Sequence, residues 1–170
     1  MRFSKVIIPV LFCMGTISSG CWYYSTSGLS LPSYIKTVAV PLAENETVEY
    51  GIETLLTDGI VDAFVSDNTL RLADERSADS VVRVNITDVI DEAFTYISET
   101  TGEEAREYRI RIIVKASFLD VKKNRKIWEH KSLEGWGTYL AGEQEERDKG
   151  MEAAVKMLAS EIVQRSVAGW

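Results

Sequence analysis

Cys21 is the first residue whose type and setting could do chemistry. Its thiol follows an apolar run and the small residues Ser18-Ser19-Gly20, and no other cysteine occurs after it. A second group of candidates is cationic. Arg83, Arg109, Arg111 and Lys115 recur on the polar side of alternating segments, and Lys122-Lys123-Asn124-Arg125-Lys126 forms a basic turn. Guanidinium groups bind phosphate or carboxylate oxygens through paired hydrogen bonds, so either set could hold an anionic ligand. The competing readings are structural: cross-strand pairing with Asp88 or Asp91 for the row, and a solvated hairpin tip for the turn. His130 is the one histidine and has no cysteine or second histidine to join it on a metal. Gly135-Trp136-Gly137 is not a dinucleotide fingerprint, and no phosphate loop or nucleophile elbow occurs. The carboxylates gather at helix ends and turns, where solvation explains them. The residues therefore point to binding and against an enzyme.

Around Cys21 the pattern is that of export. Arg2 and Lys5 give a basic start, Val6 to Ile17 is apolar, and small residues follow. The apolar run is about a dozen residues, short of the roughly 20 that span a bilayer. Residues 1–20 are expected to be a removed signal. Ser18-Ser19-Gly20-Cys21 resembles the lipobox of bacterial lipoproteins, with Ser18 at the position usually taken by a branched apolar residue. The resemblance implies cleavage before Cys21, a diacylglycerol on its thiol and acylation, for example by palmitate, of the new amino group. More than one acyl chain is what stable anchoring requires.

Without the signal, 150 residues remain and the net charge moves from −7 to −9. That length suits one domain, with a core large enough to need no staples. An acidic chain with Cys21 already used argues against nucleic acid and against disulfides.

The elements that must position the candidates follow from periodicity. Residues 21–35 read as a lipidated tether, in which Trp22-Tyr23-Tyr24 either rest at the membrane boundary or pack on the domain. Residues 36–170 read as the domain. Thr37 to Leu42 is a buried strand ended by Pro41. Ile52, Leu55, Leu56, Gly59, Ile60, Ala63 and Phe64 mark a helix, with Asn45 or Thr47 as its cap. Leu70-Arg71-Leu72-Ala73 is a short strand. Val82, Val84 and Ile86 alternate with polar residues, and so do Tyr108, Ile110, Ile112, Val114, Ala116 and Phe118. Thr100-Thr101-Gly102 fits the hairpin loop between them. In the next strand, Lys126 to Gly137, Ile127 and Leu133 fall on one side and Trp128 and Trp136 on the other, with a bulge expected near Gly135. A final helix carries Arg147, Met151, Ala154, Val155, Leu158, Ala159, Ile162 and Val163 on one stripe. The expected fold class is α+β: a two-layer sandwich of two α-helices on one face of a four- or five-stranded, mostly antiparallel sheet.

The assembled order resembles the LptE family of outer-membrane lipopolysaccharide-assembly lipoproteins. The likeness rests on Cys21-Trp22-Tyr23, Leu31-Pro32, Ile35 to Pro41, Asn45, Glu49, Gly51-Ile52-Glu53, Leu56-Thr57, Leu70-Arg71-Leu72, Ala78-Asp79, Arg125-Lys126-Ile127-Trp128 and the helix from Arg147 to Ile162. The resemblance implies a cofactor-free, non-catalytic plug and assembly partner of a β-barrel translocon of the LptD kind, on the periplasmic side of the outer membrane. It also implies contact with lipopolysaccharide, whose phosphates would meet the basic residues. Trp22 fits outer-membrane sorting, since an Asp after the lipidated cysteine is the usual retention signal. The segment Val38 to Leu42 followed by Asn45 also resembles lipoproteins that activate peptidoglycan synthases or serve curli-type secretion. The short tether and chain length favour the first family.

Overall fold

Two long alternating segments dictate the sheet, and the chain before them fills its far edge. The computed structural model describes residues 31–96, 106–140, 142 and 144–168. The elements run β1 (Thr37–Ala39), β2 (Glu44–Asn45), α1 (Ile52–Asp67), β3 (Arg71–Leu72), β4 (Ser80–Tyr96), β5 (Arg106–Asp120), β6 (Arg125–Leu140) and α2 (Gln144–Val167). The expected signal, Cys21, the aromatic triplet after it and the Thr100–Gly102 loop lie outside the described residues.

The sheet has six strands in the order β3-β1-β4-β5-β6, with β2 also pairing β4. β4, β5 and β6 form an antiparallel meander. The three short strands pair in parallel. Parallel neighbours cannot be joined by a tight turn, and α1 supplies the crossover from β1 to β3. Both helices share one apolar core with the sheet. Ile52, Leu56, Ile60 and Phe64 of α1 meet Leu158 and Ile162 of α2 over Val82, Ile86, Ile110, Ile112, Val114 and Phe118, all essentially sealed from solvent. The expected α+β sandwich is thus the observed one.

Two local expectations are corrected. α1 is preceded by Gly51 in the left-handed conformation, φ 81°, with no side-chain cap. Asn45 and Thr47 lie too far upstream. The Asn45 side-chain oxygen Oδ1 accepts the Thr47 N–H at 2.9 Å, an Asx turn. Its amide donates to the Glu49 carbonyl at 2.8 Å and to Glu53 at 3.0 Å, which folds the loop back on the helix start. The second correction concerns β6. Register is unbroken through Gly135, which faces Ile112, and slips instead between Trp128 and Lys126 and between Leu133 and His130. Each bulge inserts residues that reset which side faces in. Trp128 and Leu133, five residues apart, therefore both pack on the core, and Trp136 is left on the other face, 44% exposed.

Candidate functional site: the open face of the sheet

The helices cover one side of the meander and leave the other open among the described residues. Period two sends Ile110, Ile112, Val114 and Ala116 of β5 inward, so Arg109, Arg111, Ile113, Lys115 and Ser117 must line the open face. The cross-strand registers then set their neighbours. Glu92, Arg109 and Thr138 form one row, Ile90, Arg111 and Trp136 the next, and Asp88, Ile113 and Glu134 a third. Further along, Asn85 faces Lys115, and Arg83, Ser117 and Glu129 share a row.

The row of cations expected from sequence is thus real in placement but interleaved with acid. Arg83 pairs with Glu75 at 2.6 Å, not with Asp88 or Asp91. Glu75 reaches it from the loop before β4, a partner that strand spacing alone does not bring into range. Arg111 lies between Glu92 and Glu134 at 3.8 and 3.7 Å, and Arg109 sits 4.8 Å over the Trp136 ring. Lys115 is exposed and makes no ion pair among the described residues. With Arg83, Asn85 and Pro41 it lines a shallow cavity of about 190 Å³. The helix layer differs in charge. α1 carries Glu53, Asp58, Asp62 and Asp67 with no lysine or arginine, and three of these line the groove of about 640 Å³ between the helices. Among the described residues Lys156 is the one cation in that groove lining, set against these acids and Glu152, so an anionic ligand is disfavoured there.

Apart from Lys126, whose partner Glu129 lies in the Arg83–Ser117 row, the basic turn is separate from this face, and it is largely occupied. Lys122 binds Asp79 at 2.7 Å, and Lys122 and Lys123 stand 5.5 and 5.1 Å over the Tyr34 ring. Arg125 approaches Asp120 at 3.8 Å, and Lys126 pairs with Glu129. Asp120 is fully buried at the end of β5 and accepts the Tyr34 hydroxyl and, at 3.1 Å, the Lys123 N–H. Burial alone would raise its carboxyl, but these bonds and Arg125 hold it below its ordinary value. Donating that bond to Asp120, more than burial, raises Tyr34. Asp79 accepts the N–H groups of Lys36 and Thr37 at 3.0 and 3.2 Å and the Thr37 hydroxyl at 3.0 Å. Sequence reading missed this knot, although Asp79 beside a strand start, with an N-terminal Tyr and a basic turn, is its signal.

Asp79 gives a pH prediction. The Lys122 hydrogen bond first, then the Lys36 N–H, holds its carboxyl well below the ordinary 3.8. A depressed carboxylate stabilises the fold above its unfolded value and loses that contribution as pH falls. Asp79→Asn is therefore expected to melt several degrees below wild type at pH 7. The gap should stay constant down to about pH 4 and shrink below it. A gap that widens in acid would contradict the assignment.

Among the described residues no His, Cys, Asp or Glu cluster is arranged to hold a metal, and no helix is long and apolar enough to cross a membrane. His130 is an exposed strand residue.

Comparison with known proteins agrees with this geometry. Curated protein sequences give no match. Among solved structures, the chain is similar to a DUF330 protein from Xanthomonas campestris, with a TM-score of 0.56 and 12% identity over 81% of this chain and 89% of that one. It is also similar to a hypothetical protein from Chlamydia trachomatis, with a TM-score of 0.52 and 13% identity over 76% of this chain and 94% of that one. At such identities the likeness speaks for the fold alone. A family model for LptE, lipopolysaccharide-assembly, matches residues 35–166, from the residue before the Lys36–Asp79 bond to the last turn of α2. With the match spanning every element of the two-layer fold, the chain belongs to the LptE lipopolysaccharide-assembly family.

Proposed function

We propose that the protein is an outer-membrane lipoprotein, anchored through acylated Cys21 on the periplasmic side, that works as plug and assembly partner of an LptD-like β-barrel translocon. Its role is binding and positioning, without a cofactor or a chemical step. Lipopolysaccharide is contacted directly, and the open sheet face is where this occurs. The observation that carries the reading is the family match over the whole domain, joined to a face whose cations point to solvent opposite an acidic helix layer. Of the candidates, Lys115 is the cation best placed to take a phosphate, because it is exposed and uncommitted. Arg83, Arg109 and Arg111 flank it, while Lys122, Lys123, Arg125 and Lys126 would serve only by exchanging their present partners.

A mild-detergent pull-down with the full chain tests the role. Recovery of a large β-barrel together with lipopolysaccharide supports it. Recovery of a penicillin-binding protein in its place sinks it in favour of peptidoglycan-synthase activation. For the face itself, Lys115→Glu removes one attraction and adds one repulsion, each worth up to about 1 kcal/mol at an exposed site. Lipopolysaccharide binding should weaken about tenfold in low salt and far less at 0.5 M salt, where screening is strong. Unchanged low-salt binding would remove Lys115 from the contact.

A further inference from the structure

Trp136 is the least expected residue on the open face. It is 44% exposed, yet its setting is ordered. Arg109 from the neighbouring strand places its guanidinium 4.8 Å from the ring centroid, which holds the indole in one orientation. β6 is the last strand of the sheet among the described residues, and none of them adds a strand beyond the ring. Around it lie the half-buried Ile90 and Ile113 and the charged side chains of Arg111, Glu92, Glu134 and Asp88. Arg111 spans the Glu92 and Glu134 carboxylates at 3.8 and 3.7 Å, beyond hydrogen-bond length, and its Nε, though buried, makes no hydrogen bond. Donors and acceptors are thus gathered but not used up on one another.

The charges decide what such a patch can take. Arg109 and Arg111 are set against Glu92, Glu134 and Asp88, so the patch carries no net positive charge. A phosphate drawn to the arginines would also meet these carboxylates. A sugar ring meets no such penalty. Its C–H face lies on an indole, and its neighbouring hydroxyls both donate to carboxylates and accept from guanidinium groups. We infer that Trp136, with Arg109, Arg111, Glu92 and Glu134, forms a saccharide-stacking site that takes an uncharged sugar ring. The inference rests on the proposed lipopolysaccharide reading for its source of sugar and deepens it. Trp136 reads the oligosaccharide, and the phosphates are left to Lys115, four residues or about 13 Å from Arg111 along β5.

The test is calorimetric titration of the full chain in detergent with dephosphorylated core oligosaccharide, freed of lipid A by mild acid. Wild type should bind saturably, with affinity changing less than about twofold between 0.05 and 0.5 M salt, because no net charge is neutralised. Trp136→Ala should weaken binding about tenfold and Trp136→Phe by much less, since a phenyl ring still stacks. Melting of both variants reports whether the fold survives, and Trp136→Phe keeps the test valid if the alanine variant does not. Equal affinity in all three proteins overturns the site. So does binding confined to the phosphorylated oligosaccharide and lost in salt. Loss of barrel recovery on Trp136→Ala with unchanged sugar binding also overturns it, making Trp136 a protein contact. Oligosaccharide binding by a chain that recovers no barrel leaves the saccharide site standing and removes the assembly reading. Lipopolysaccharide binding that persists in Trp136→Ala together with undiminished core-oligosaccharide binding does the reverse.

Discussion

Gly137→Ala should lower the melting temperature of the protein by about 10 °C or more. The reason is the seating of α2 on β6. A Cβ at Gly137 would stand 2.1 Å from the Gly150 carbonyl oxygen and 2.9 Å from the Ala153 Cβ. At Gly135 it would stand 2.4 Å from the Ala154 carbonyl oxygen. The two carbonyl oxygens are backbone atoms of a helix whose other contacts are already sealed, with Ala154, Leu158 and Ile162 fully buried. Nothing can yield except the helix as a whole. Overpacking commonly costs about 1–3 kcal/mol, and a backbone clash belongs at or above the top of that range. At about 3–4 °C per kcal/mol for a chain of this size, the shift is large. Gly59→Ala is the contrasting case. Its Cβ would meet the Val155 Cγ1 at 2.7 Å. That atom is one methyl of a buried valine and not helix backbone, so a small shift of one side chain relieves it, and alanine gains about 1 kcal/mol of helix propensity over glycine. Gly59→Ala should melt within a few degrees of wild type. If Gly137→Ala does the same, α2 is not seated on β6 as described.

Arg147→Ala should remove about 2 kcal/mol of stability in urea denaturation. Arg147 lies on the first turn of α2 and is 20% exposed. It grips Glu49 of the loop before α1 with two bonds at 3.0 and 2.9 Å. It also reaches Asp91 of β4 at 2.9 and 3.2 Å. Asp91 in turn accepts the Tyr139 hydroxyl of β6 at 2.8 Å. One guanidinium thus joins both helices' starts to two strands. The Glu49 bonds above all, and then Asp91, push its pKa above the ordinary arginine range, against the effect of burial. Burial first and the Asp91 bond second push Tyr139 up to about 12, so it remains a donor at any pH the protein meets. Truncation strands two carboxylates that are only a third exposed, which costs more than losing a surface pair and less than losing a sealed one. Arg147→Lys should recover less than half of the loss, because an ammonium cannot make paired bonds to two carboxylates at once. Full recovery by lysine would mean that charge alone matters at this junction.

Arg147 also shows how far a linear reading reaches. Its place on the apolar stripe of the last helix is plain from spacing, and the residues Met151 to Val163 that share the stripe are buried as that spacing requires. Its partners are not plain, because Glu49 and Asp91 lie 98 and 56 residues away. The same division holds across the sheet. Alternation in β4 and β5 fixes which residues face the core, and Val82, Val84, Ile86, Ile110, Ile112 and Val114 all do. In β6 alternation fails. Parity still sets Leu133 and Trp136 on opposite sides, but the bulge between His130 and Leu133 brings Trp128 to the core side, which parity could not give.

Element types, the two-layer α+β class, the buried stripes and the family are all legible along the chain, because each rests on local periodicity or on the order of residues. Periodicity also placed Arg83, Arg109, Arg111 and Lys115 on one face, since a strand's period of two leaves no choice. Only the tertiary structure decided what those cations meet. Glu75, Glu92 and Glu134 come from other segments, and the bulges of β6 bring Trp136 beneath Arg109. Charge type and spacing are properties of the chain, whereas charge balance on a face depends on register between strands. It is that register which leaves Lys115 uncommitted and gives the Trp136 patch no net positive charge.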